Sequence, residues 1–316
     1  MYDTMVLSTK NKKPAGRRAS ILEMSTQAAR MKADQLLAMK LSETAFYVLD
    51  RLFTSGVMSV SQLGIPLRTL QRYASADMRL LNRLPFGTDV VKSEFDAYGI
   101  GIEFGQATLY TLGPVGIEIV KMRYETTPGT GYMAYPLSRV MHDIVVNEIV
   151  QVISDACRAQ GLRVLRAGKY EGSLFSEDGL TQLLEPDARI VIQNRDGTET
   201  QFCIEYHNKD KPARAWAKVD KYEIAQASNL WAEQWEIDQF PGLLFVFRDE
   251  HVVKGYAQKL TEFESPRVSH FGKRLDGVLS GAQPLEWMRV NDMQKVNILT
   301  GSKAAPAGEI IPQAGA

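Results

Sequence analysis

Cysteine is scarce in this sequence, and neither sign of charge is in excess. The 316 residues include two cysteines, Cys157 and Cys203, without the CxxC or Cys/His spacing of a zinc site. A disulfide framework and a zinc centre are therefore not expected, and we interpret both cysteines as reduced core residues. The 37 Lys and Arg residues balance 37 Asp and Glu residues, so a surface for nucleic acid has to come from local clustering of charge.

Long apolar runs are also lacking. No stretch approaches the roughly 20 apolar residues that span a bilayer, and the first residues lack the apolar core of a signal peptide. We therefore expect a cytoplasmic protein. With 45% hydrophobic and 23% charged residues, the chain can bury an ample core, and its length predicts two domains.

A basic segment comes first. Residues 1–38 hold Pro14, Gly16 and few large apolar residues, which predicts a flexible arm that becomes helical after Ser25. The arm is either a solvated tail or a phosphate-neutralising segment whose affinity for DNA falls as salt rises. The candidate phosphate contacts in it are Lys12, Lys13, Arg17 and Arg18.

Helical periodicity begins after this arm. Ser42 is the predicted N-cap of a first helix that ends at Gly56. A very short helix over residues 59–63, a turn with Gly64 and a longer helix that opens at Pro66 follow. This order is typical of a helix-turn-helix, whose last helix enters the major groove of DNA.

The third helix is predicted over residues 66–80 and has a basic outer face. That face is either simply solvated or contacts DNA, and its place after a turn and before paired strands favours DNA, because Arg and Gln make bidentate bonds to guanine and adenine. The base-reading candidates are Arg68, Gln71 and Arg72, and the phosphate-contacting candidates are Thr69 and Arg79.

Two strands are predicted after this helix. One lies around Val90, Val91 and residues 101–104, and the other returns over residues 107–112. They act as a wing, so we interpret residues 39–124 as a winged helix-turn-helix DNA-binding domain and the turn-rich residues 125–138 as a linker.

A second domain is predicted over residues 139–265. An amphipathic helix from His142 to Gln160, ended by Gly161, precedes three strands, a helix, a strand and a last helix. The order αβββαβ predicts an α/β (α+β) fold whose last strand lies parallel to its neighbour, since a helix separates the two. Residues 266–316 are interpreted as a C-terminal extension that is partly disordered, because its end is rich in Ala, Gly and Pro.

Two acidic residues mark one end of a predicted hairpin. Asp187 opens the first strand and Glu205 lies near the end of the second, and because antiparallel strands reverse direction, the two are expected to be neighbours. Each also has a plainer interpretation, Asp187 as a strand-start residue and Glu205 as the partner of a nearby lysine. His142 and Glu148 either complete a site with them or are exposed.

The element order, Pro186-Asp187 and Glu205 together resemble the PD-(D/E)xK nuclease-like fold. In that family the Asp and the Glu bind a divalent metal such as Mg²⁺, and a Lys orients the nucleophile. The resemblance therefore implies Asp187 and Glu205 as metal ligands. This sequence departs from the family where the Lys is expected, two residues after Glu205. The candidates for its role are His207 at that position and the nearby Lys209, Lys211, Lys218 and Lys221.

Over residues 40–260 the chain more specifically resembles the replication-relaxation family of plasmid and mobile-element proteins, in which a winged helix precedes a nuclease-like domain. The segments that carry the resemblance are 41–52, 68–80, 109–116, the helix from His142, 186–188, 202–205 and 218–222. It implies binding of plasmid or element DNA in support of replication or of relaxase-dependent transfer.

Three functions stay open from the sequence. The first hypothesis is a DNA-binding accessory protein of plasmid or mobile-element replication or mobilisation, with a relaxase, a replication protein or a second copy of the chain as partner. The second is an Mg²⁺-dependent deoxyribonuclease that uses Asp187, Glu205, His207, Lys209 and Lys218. The third is a transcriptional autoregulator.

Overall fold

The computed structural model describes residues 24–169, 172–208, 212–263 and 266–300, which form a mixed α/β fold. This confirms the predicted fold class at the level of α/β. A mixed sheet of seven strands lies at the centre of the described structure. Within these ranges, no helix combines the length and the apolar character that a membrane span requires.

The N-terminal unit combines short helices with a small antiparallel sheet. Its elements in chain order are α1 (Thr26–Ala38), α2 (Glu43–Ser55), β1 (Val57–Ser59), α3 (Val60–Leu63), α4 (Leu67–Tyr73), β2 (Leu81–Arg83), α5 (Thr88–Ala97), β3 (Leu109–Leu112) and α6 (Pro114–Tyr124). The three strands are arranged in the order β1-β3-β2. Leu49, Leu52, Leu70 and Tyr110 belong to the core that the helices and this sheet enclose.

Local sequence sets the ends of these helices. The Ser42 hydroxyl accepts a hydrogen bond from the Ala45 N–H at 3.3 Å and caps α2. Ser59 and Gln62 form a reciprocal capping box around α3. Gly64 then ends α3 at a φ of 65°, a left-handed conformation that glycine adopts without steric cost.

The second unit is built on the seven-stranded sheet. Its elements are α7 (Leu137–Ala159), β4 (Arg163–Gly168), β5 (Leu174–Phe175), β6 (Gln182–Leu184), β7 (Ala188–Gln193), β8 (Glu199–His207), α8 (Pro212–Ser228), α9 (Leu230–Gln234), β9 (Gly242–Phe247), α10 (Glu250–Leu260), β10 (His270–Arg274), α11 (Leu275–Leu279), β11 (Glu286–Arg289) and β12 (Gln294–Asn297). The strand order is β12-β11-β10-β9-β8-β7-β4. The predicted β7–β8 hairpin and the predicted parallel pairing of β8 with β9 are confirmed.

Helices cover both faces of this sheet. Ile190 and Ile204 point to the face on which α7 and α11 pack, whereas Cys203 and Phe245 point to the face on which α8 and α10 pack. Alternate residues of β8 thus enter different cores, as the period of two along a strand requires. Glu205, two residues after Cys203, therefore faces α8.

Buried hydrogen bonds join the two units. Asn147 on α7 donates to the Val57 carbonyl at 2.7 Å, and Gln62 on α3 donates to the Ile144 carbonyl at 2.9 Å. Val57 also packs in the same core as the central sheet. The contact surface between the units is therefore built of paired polar groups within an apolar core.

Glu223 on α8 anchors the chain where it enters β10. Its carboxylate accepts hydrogen bonds from the N–H groups of Arg267 at 3.0 Å and Val268 at 3.2 Å, and it lies 3.2 Å from Nε2 of His270. Burial on its own raises the pKa of Glu223, but these hydrogen bonds outweigh burial and lower it. The carboxylate form is thus the one that fits the fold.

The structure corrects two predictions in the N-terminal unit. The strand expected around Val90, Val91 and residues 101–104 is wrong, because α5 occupies residues 88–97 and a short 3₁₀ helix occupies Phe104–Ala107. Val91 and Phe95 are buried at helical spacing while Val90 is exposed, a period that a strand cannot produce. The third helix ends at Tyr73 rather than at residue 80, since the Leu80 N–H bonds back to the Tyr73 carbonyl at 3.0 Å.

Three chain segments also differ from the predicted domain limits. The described end of the predicted arm is the helix α1, capped by Ser25 as expected and packed through Ala29, Ala33 and Leu36. The predicted linker carries the buried Tyr132. The sheet continues past the predicted end at residue 265, because β10, β11 and β12 extend it. These strands have five, four and four residues, too few for a clear alternation of apolar and polar residues.

Candidate functional site

A cleft opens at the edge of the central sheet where β8 ends and β7 begins. It has a volume of about 520 Å³ and lies between the first turns of α7 and one side of α8. The acidic residues that line it are Asp187 and Glu205, and its basic residues include Arg139, Lys218 and Lys221. We call this site the acid cleft. Both acids and a lysine that the sequence singled out therefore border one cavity.

The β7–β8 hairpin places Asp187. Because Ala188 pairs with Ile204, Asp187 lies beside Glu205 and Tyr206. The Asp187 carboxylate accepts a hydrogen bond from the Tyr206 N–H at 2.8 Å through Oδ2, and its side chain is 23% exposed. The hairpin thus holds one carboxylate at the border between the sheet and the cleft.

Glu205 is the buried acid of the pair, with 1% of its side chain exposed. Its Oε2 accepts a hydrogen bond from Nζ of Lys218 at 2.6 Å and its Oε1 one from the Tyr222 hydroxyl at 2.9 Å. Lys218 and Tyr222 lie four residues apart on α8, which places them on the same face of that helix. One face of α8 therefore supplies both partners of Glu205.

The charges around Glu205 are strongly coupled. Burial, followed by repulsion from Asp187, raises the pKa of Glu205 to about 8, although Lys218 acts to lower it. Burial acts to lower the pKa of Lys218, but attraction to Glu205 and Asp187 outweighs burial and raises it. A cationic lysine at this position therefore stabilises negative charge on either acid.

His142 reaches the cleft from the first helix of the second unit. Its Nε2 lies 3.2 Å from the Tyr206 carbonyl oxygen and 3.5 Å from Oδ2 of Asp187. Its Nδ1 lies 3.3 Å from Oδ1 of Asp143. Burial acts to lower the pKa of His142, but the hydrogen bond to Asp143 and the charge of Asp187 outweigh burial and raise it. The imidazole is thereby oriented between two acids.

Asp143 connects His142 with the predicted linker. Its Oδ2 accepts hydrogen bonds from Nζ of Lys169 at 2.6 Å and from the Tyr132 hydroxyl at 2.9 Å. Burial acts to raise the pKa of Asp143, but the hydrogen bond to His142 and the charge of Lys169 outweigh burial and lower it. We call Tyr132, His142, Asp143 and Lys169 the Asp143 network.

His207 and Glu148 contact other residues than those expected of them. His207 borders the cleft, but it is buried and its Nε2 lies 2.7 Å from the Tyr256 hydroxyl. Glu148 does not complete the site, because its Oε2 accepts a hydrogen bond from Gln62 of α3 at 3.1 Å. Lys209 and Lys211 lie outside the described residues. Of the two candidate lysines that the structure describes, Lys218 contacts an acid of the cleft.

The donor atoms of the cleft suit a hard cation with few protein ligands. In the described part of the chain, no group of three or more His, Cys, Asp or Glu side chains is arranged to hold a metal ion. Mg²⁺ keeps several waters and commonly binds one or two carboxylates together with substrate phosphates. Asp187 and Glu205 supply two carboxyl groups of this kind, and a metal at Glu205 would share or displace the hydrogen bonds from Lys218 and Tyr222.

The proposed DNA-contacting residues lie in the N-terminal unit. Arg68, Gln71 and Arg72 are exposed on α4, and the guanidinium of Arg72 lies 5.4 Å from the centre of the Tyr73 ring. Thr69 on the same helix is half-buried. Arg79 lies beyond the end of α4 and is also half-buried. Lys12, Lys13, Arg17 and Arg18 are outside the described residues.

The sequence did not point to Arg139 or to the Tyr132, Asp143 and Lys169 members of the Asp143 network. The helix predicted from His142 begins earlier, at Leu137, so Arg139 lies one turn before His142 and on the same side of the helix. Nothing in the local pattern pointed to Lys169, because it is 26 residues from Asp143 and meets it only through the tertiary fold.

Comparisons with known proteins do not assign this chain to a group. No family model matches the sequence, and neither the curated proteins nor the solved structures contain a significant match to it.

Proposed function

We propose that the protein is an Mg²⁺-dependent DNA phosphodiesterase of the PD-(D/E)xK type, brought to duplex DNA by a winged helix-turn-helix in its N-terminal unit. The observation that supports this function best is the meeting of Asp187, Glu205 and Lys218 at one cleft. The lysine expected two residues after Glu205 is replaced in space by one from α8. Two carboxylates and an amine are the groups that metal-assisted hydrolysis of a phosphodiester requires.

Each residue of the acid cleft has a role in this proposal. Asp187 and Glu205 would hold Mg²⁺, which when bound supplies positive charge for the scissile phosphate and a more acidic water. Lys218 orients the attacking water and stabilises the negative charge that develops on the phosphate. Arg139 and Lys221 at the cleft bind flanking phosphates of the DNA backbone.

Cleavage of supercoiled plasmid tests the proposal. Purified protein is incubated with plasmid in Mg²⁺, in Mn²⁺ and in EDTA, and nicked and linear products are quantified. Asp187→Asn keeps an acceptor for the Tyr206 N–H but loses the charge, so we expect Mg²⁺-dependent cleavage to fall at least about 100-fold. Asp196→Asn is the matched control, because Asp196 lies in the turn at the other end of the same hairpin. An inactive wild type in both metals, or equal cleavage by wild type and Asp187→Asn, overturns the assignment.

A second candidate function is DNA binding without cleavage. It is favoured by the exposed basic face of α4 and by the occupation of both Glu205 oxygens by Lys218 and Tyr222. In this version the chain is an accessory protein of plasmid or mobile-element replication or mobilisation, in keeping with the replication-relaxation resemblance, or a transcriptional autoregulator. Its partner would be a relaxase, a replication protein or a second copy of the chain.

Selection of bound duplexes from a random library separates this candidate from general affinity for DNA. Arg72→Ala should relax the selected sequence at one base position and cost about 1–3 kcal/mol against the preferred site. Arg158→Ala, an exposed arginine at the end of α7, should leave both affinity and preference unchanged. The same selected site and affinity for Arg72→Ala and wild type would remove α4 as the reading helix.

A further inference from the structure

A second crevice lies at the same edge of the sheet, between the ends of β9 and β10. The two strands are parallel, but the helices that follow them go to opposite faces. Val252, Val253 and Tyr256 of α10 pack in the core with α8, whereas Leu275 and Val278 of α11 pack in the core with α7. Such a reversal opens a crevice beyond the carboxyl ends of the strands, where open α/β sheets bind their ligands.

This crevice has an apolar and aromatic lining. Its volume is about 560 Å³, within the range of small-molecule sites. Phe247, Trp287, Met288 and Met293 line it; Phe247 and Trp287 are buried, whereas 54% of Met293 is exposed. A Cβ at position 272 would meet Cε1 of Phe247 at 3.2 Å, so a side chain there would crowd Phe247. We call it the switch crevice.

Basic side chains outnumber acidic ones in the same crevice by one, four against three. Two of its acids, Glu250 and Asp276, already pair with Arg274, at 3.1 Å and 2.8 Å. Three lysines, Lys254, Lys273 and Lys295, also line it, and none of the ion pairs found among the described residues involves them. Glu286 is the remaining acid, so the lysines exceed the acidic groups available to them.

Lys273 occupies the position between the apolar and the charged parts. Its Nζ donates to the Gln283 carbonyl at 2.7 Å and lies 5.9 Å from the centre of the Trp287 ring. Burial lowers the pKa of Lys273; attraction to Glu286 acts to raise it, and the smaller repulsion from Lys295 acts to lower it. Glu286 is therefore the acidic neighbour that a bound anion would join at this point.

We propose that the switch crevice binds a free nucleoside phosphate, with the base against Met288 and Met293 and the phosphates against Lys254, Lys273 and Lys295. The size of the crevice, its apolar wall and its lysines outside the ion pairs each match one part of such a ligand. Nucleotide binding at the switch crevice does not depend on cleavage at the acid cleft. It is therefore tested independently of the proposed function.

Calorimetric titration of the full chain with ADP tests the site. Wild type should show saturable binding with one ADP per chain, and adenosine or pyrophosphate alone should bind at least about tenfold more weakly, because each lacks one half of the contacts. A single-stranded hexanucleotide without a terminal phosphate serves as the nucleic-acid arm, and it should not compete with ADP.

Three lysine variants locate the bound nucleotide. Lys273→Met keeps the aliphatic stem and removes the charge, so it should weaken ADP binding about tenfold or more. Lys295→Met changes an exposed residue of β12, should weaken binding in the same direction, and decides the outcome if Lys273→Met does not fold. Lys221→Met changes an exposed lysine of the acid cleft and should leave ADP affinity unchanged.

The remaining outcomes overturn the proposal. They are no ADP binding by wild type, equal binding of adenosine or pyrophosphate, competition by the hexanucleotide, and loss of binding in Lys221→Met with full binding in Lys273→Met and Lys295→Met.

Discussion

Replacement of Asp143 by Asn tests what the Asp143 network contributes to the stability of the fold. The Asp143 carboxylate is 5% exposed and accepts hydrogen bonds from Lys169 and Tyr132, with His142 beside it. An amide at this position keeps one acceptor oxygen, so its NH₂ group has to face one of these donors. The change removes both a buried charge and a hydrogen bond without altering the volume of the side chain.

The size of the expected loss of stability follows from these contacts. Removal of one partner from a buried ion pair costs about 3–5 kcal/mol, and an unsatisfied buried donor costs about 1–3 kcal/mol. The Lys169 side chain is 18% exposed, so water can hydrate part of its charge. The lower end of the range for a broken ion pair therefore applies. We expect Asp143→Asn to lower the free energy of unfolding by about 3 kcal/mol at pH 7.

Urea unfolding followed by circular dichroism measures this difference. Asp155→Asn is the matched control on the same helix, since that side chain is 59% exposed and its surface ion pair contributes at most about 1 kcal/mol. The pKa of Asp143 is lowered in the folded state. Its contribution is therefore present above its unfolded pKa of about 3.9 and is lost as the pH falls through the folded value. Equal stability of Asp143→Asn and Asp155→Asn at pH 7, or a difference that does not shrink on acidification, refutes the reasoning.

Three further outcomes are expected. Asn147→Ala should lower the free energy of unfolding by about 1–3 kcal/mol, because the buried Val57 carbonyl loses its side-chain donor; urea denaturation that matches wild type would contradict this. Glu223→Gln should be less stable than wild type above about pH 4.3. The difference in the free energy of unfolding should vanish as the pH falls through the lowered folded pKa of Glu223. A difference that stays constant from pH 7 to pH 2 argues against this role of the carboxylate. Burial raises the pKa of Cys157 to about 11 and of Cys203 to about 12. A disulfide thiol reagent at pH 8 should therefore label both cysteines only after unfolding. Labelling of the native protein at the rate of the unfolded protein would disprove their burial.

Local periodicity was sufficient to predict the β7–β8 hairpin and the acids at its end. Residues 188–192 and 201–205 are apolar runs on either side of a turn that contains Gly197, and hairpin geometry alone makes Asp187 a neighbour of Glu205. The pairing of β8 with β9 followed from the helix between them. Both strand pairings depend only on contacts between segments that follow one another in the chain.

Contacts between distant segments of the chain could not be predicted from local sequence patterns. The sequence left five candidates for the lysine role, and only the packing of α8 on the sheet brings Lys218 to Glu205. The packing of β9 and α10 places Phe245 and Tyr256 against His207, whose Nε2 lies within hydrogen-bond distance of the Tyr256 hydroxyl. The strand expected near Val90 became the helix α5 because its buried face matches the core that the second unit supplies.

Single-turnover cleavage of a duplex in Mg²⁺ by wild type, Lys218→Met and Lys221→Met tests whether Lys218 serves hydrolysis at the acid cleft. Lys221 is exposed on the same helix three residues later, so the two variants differ in whether the lost amine contacts Glu205. We expect Mg²⁺-dependent cleavage by wild type, a loss of about 100-fold or more in Lys218→Met with duplex affinity retained, and a loss below about tenfold in Lys221→Met. No cleavage by wild type, or equal rates for wild type and Lys218→Met, would rule out a nuclease that uses Lys218.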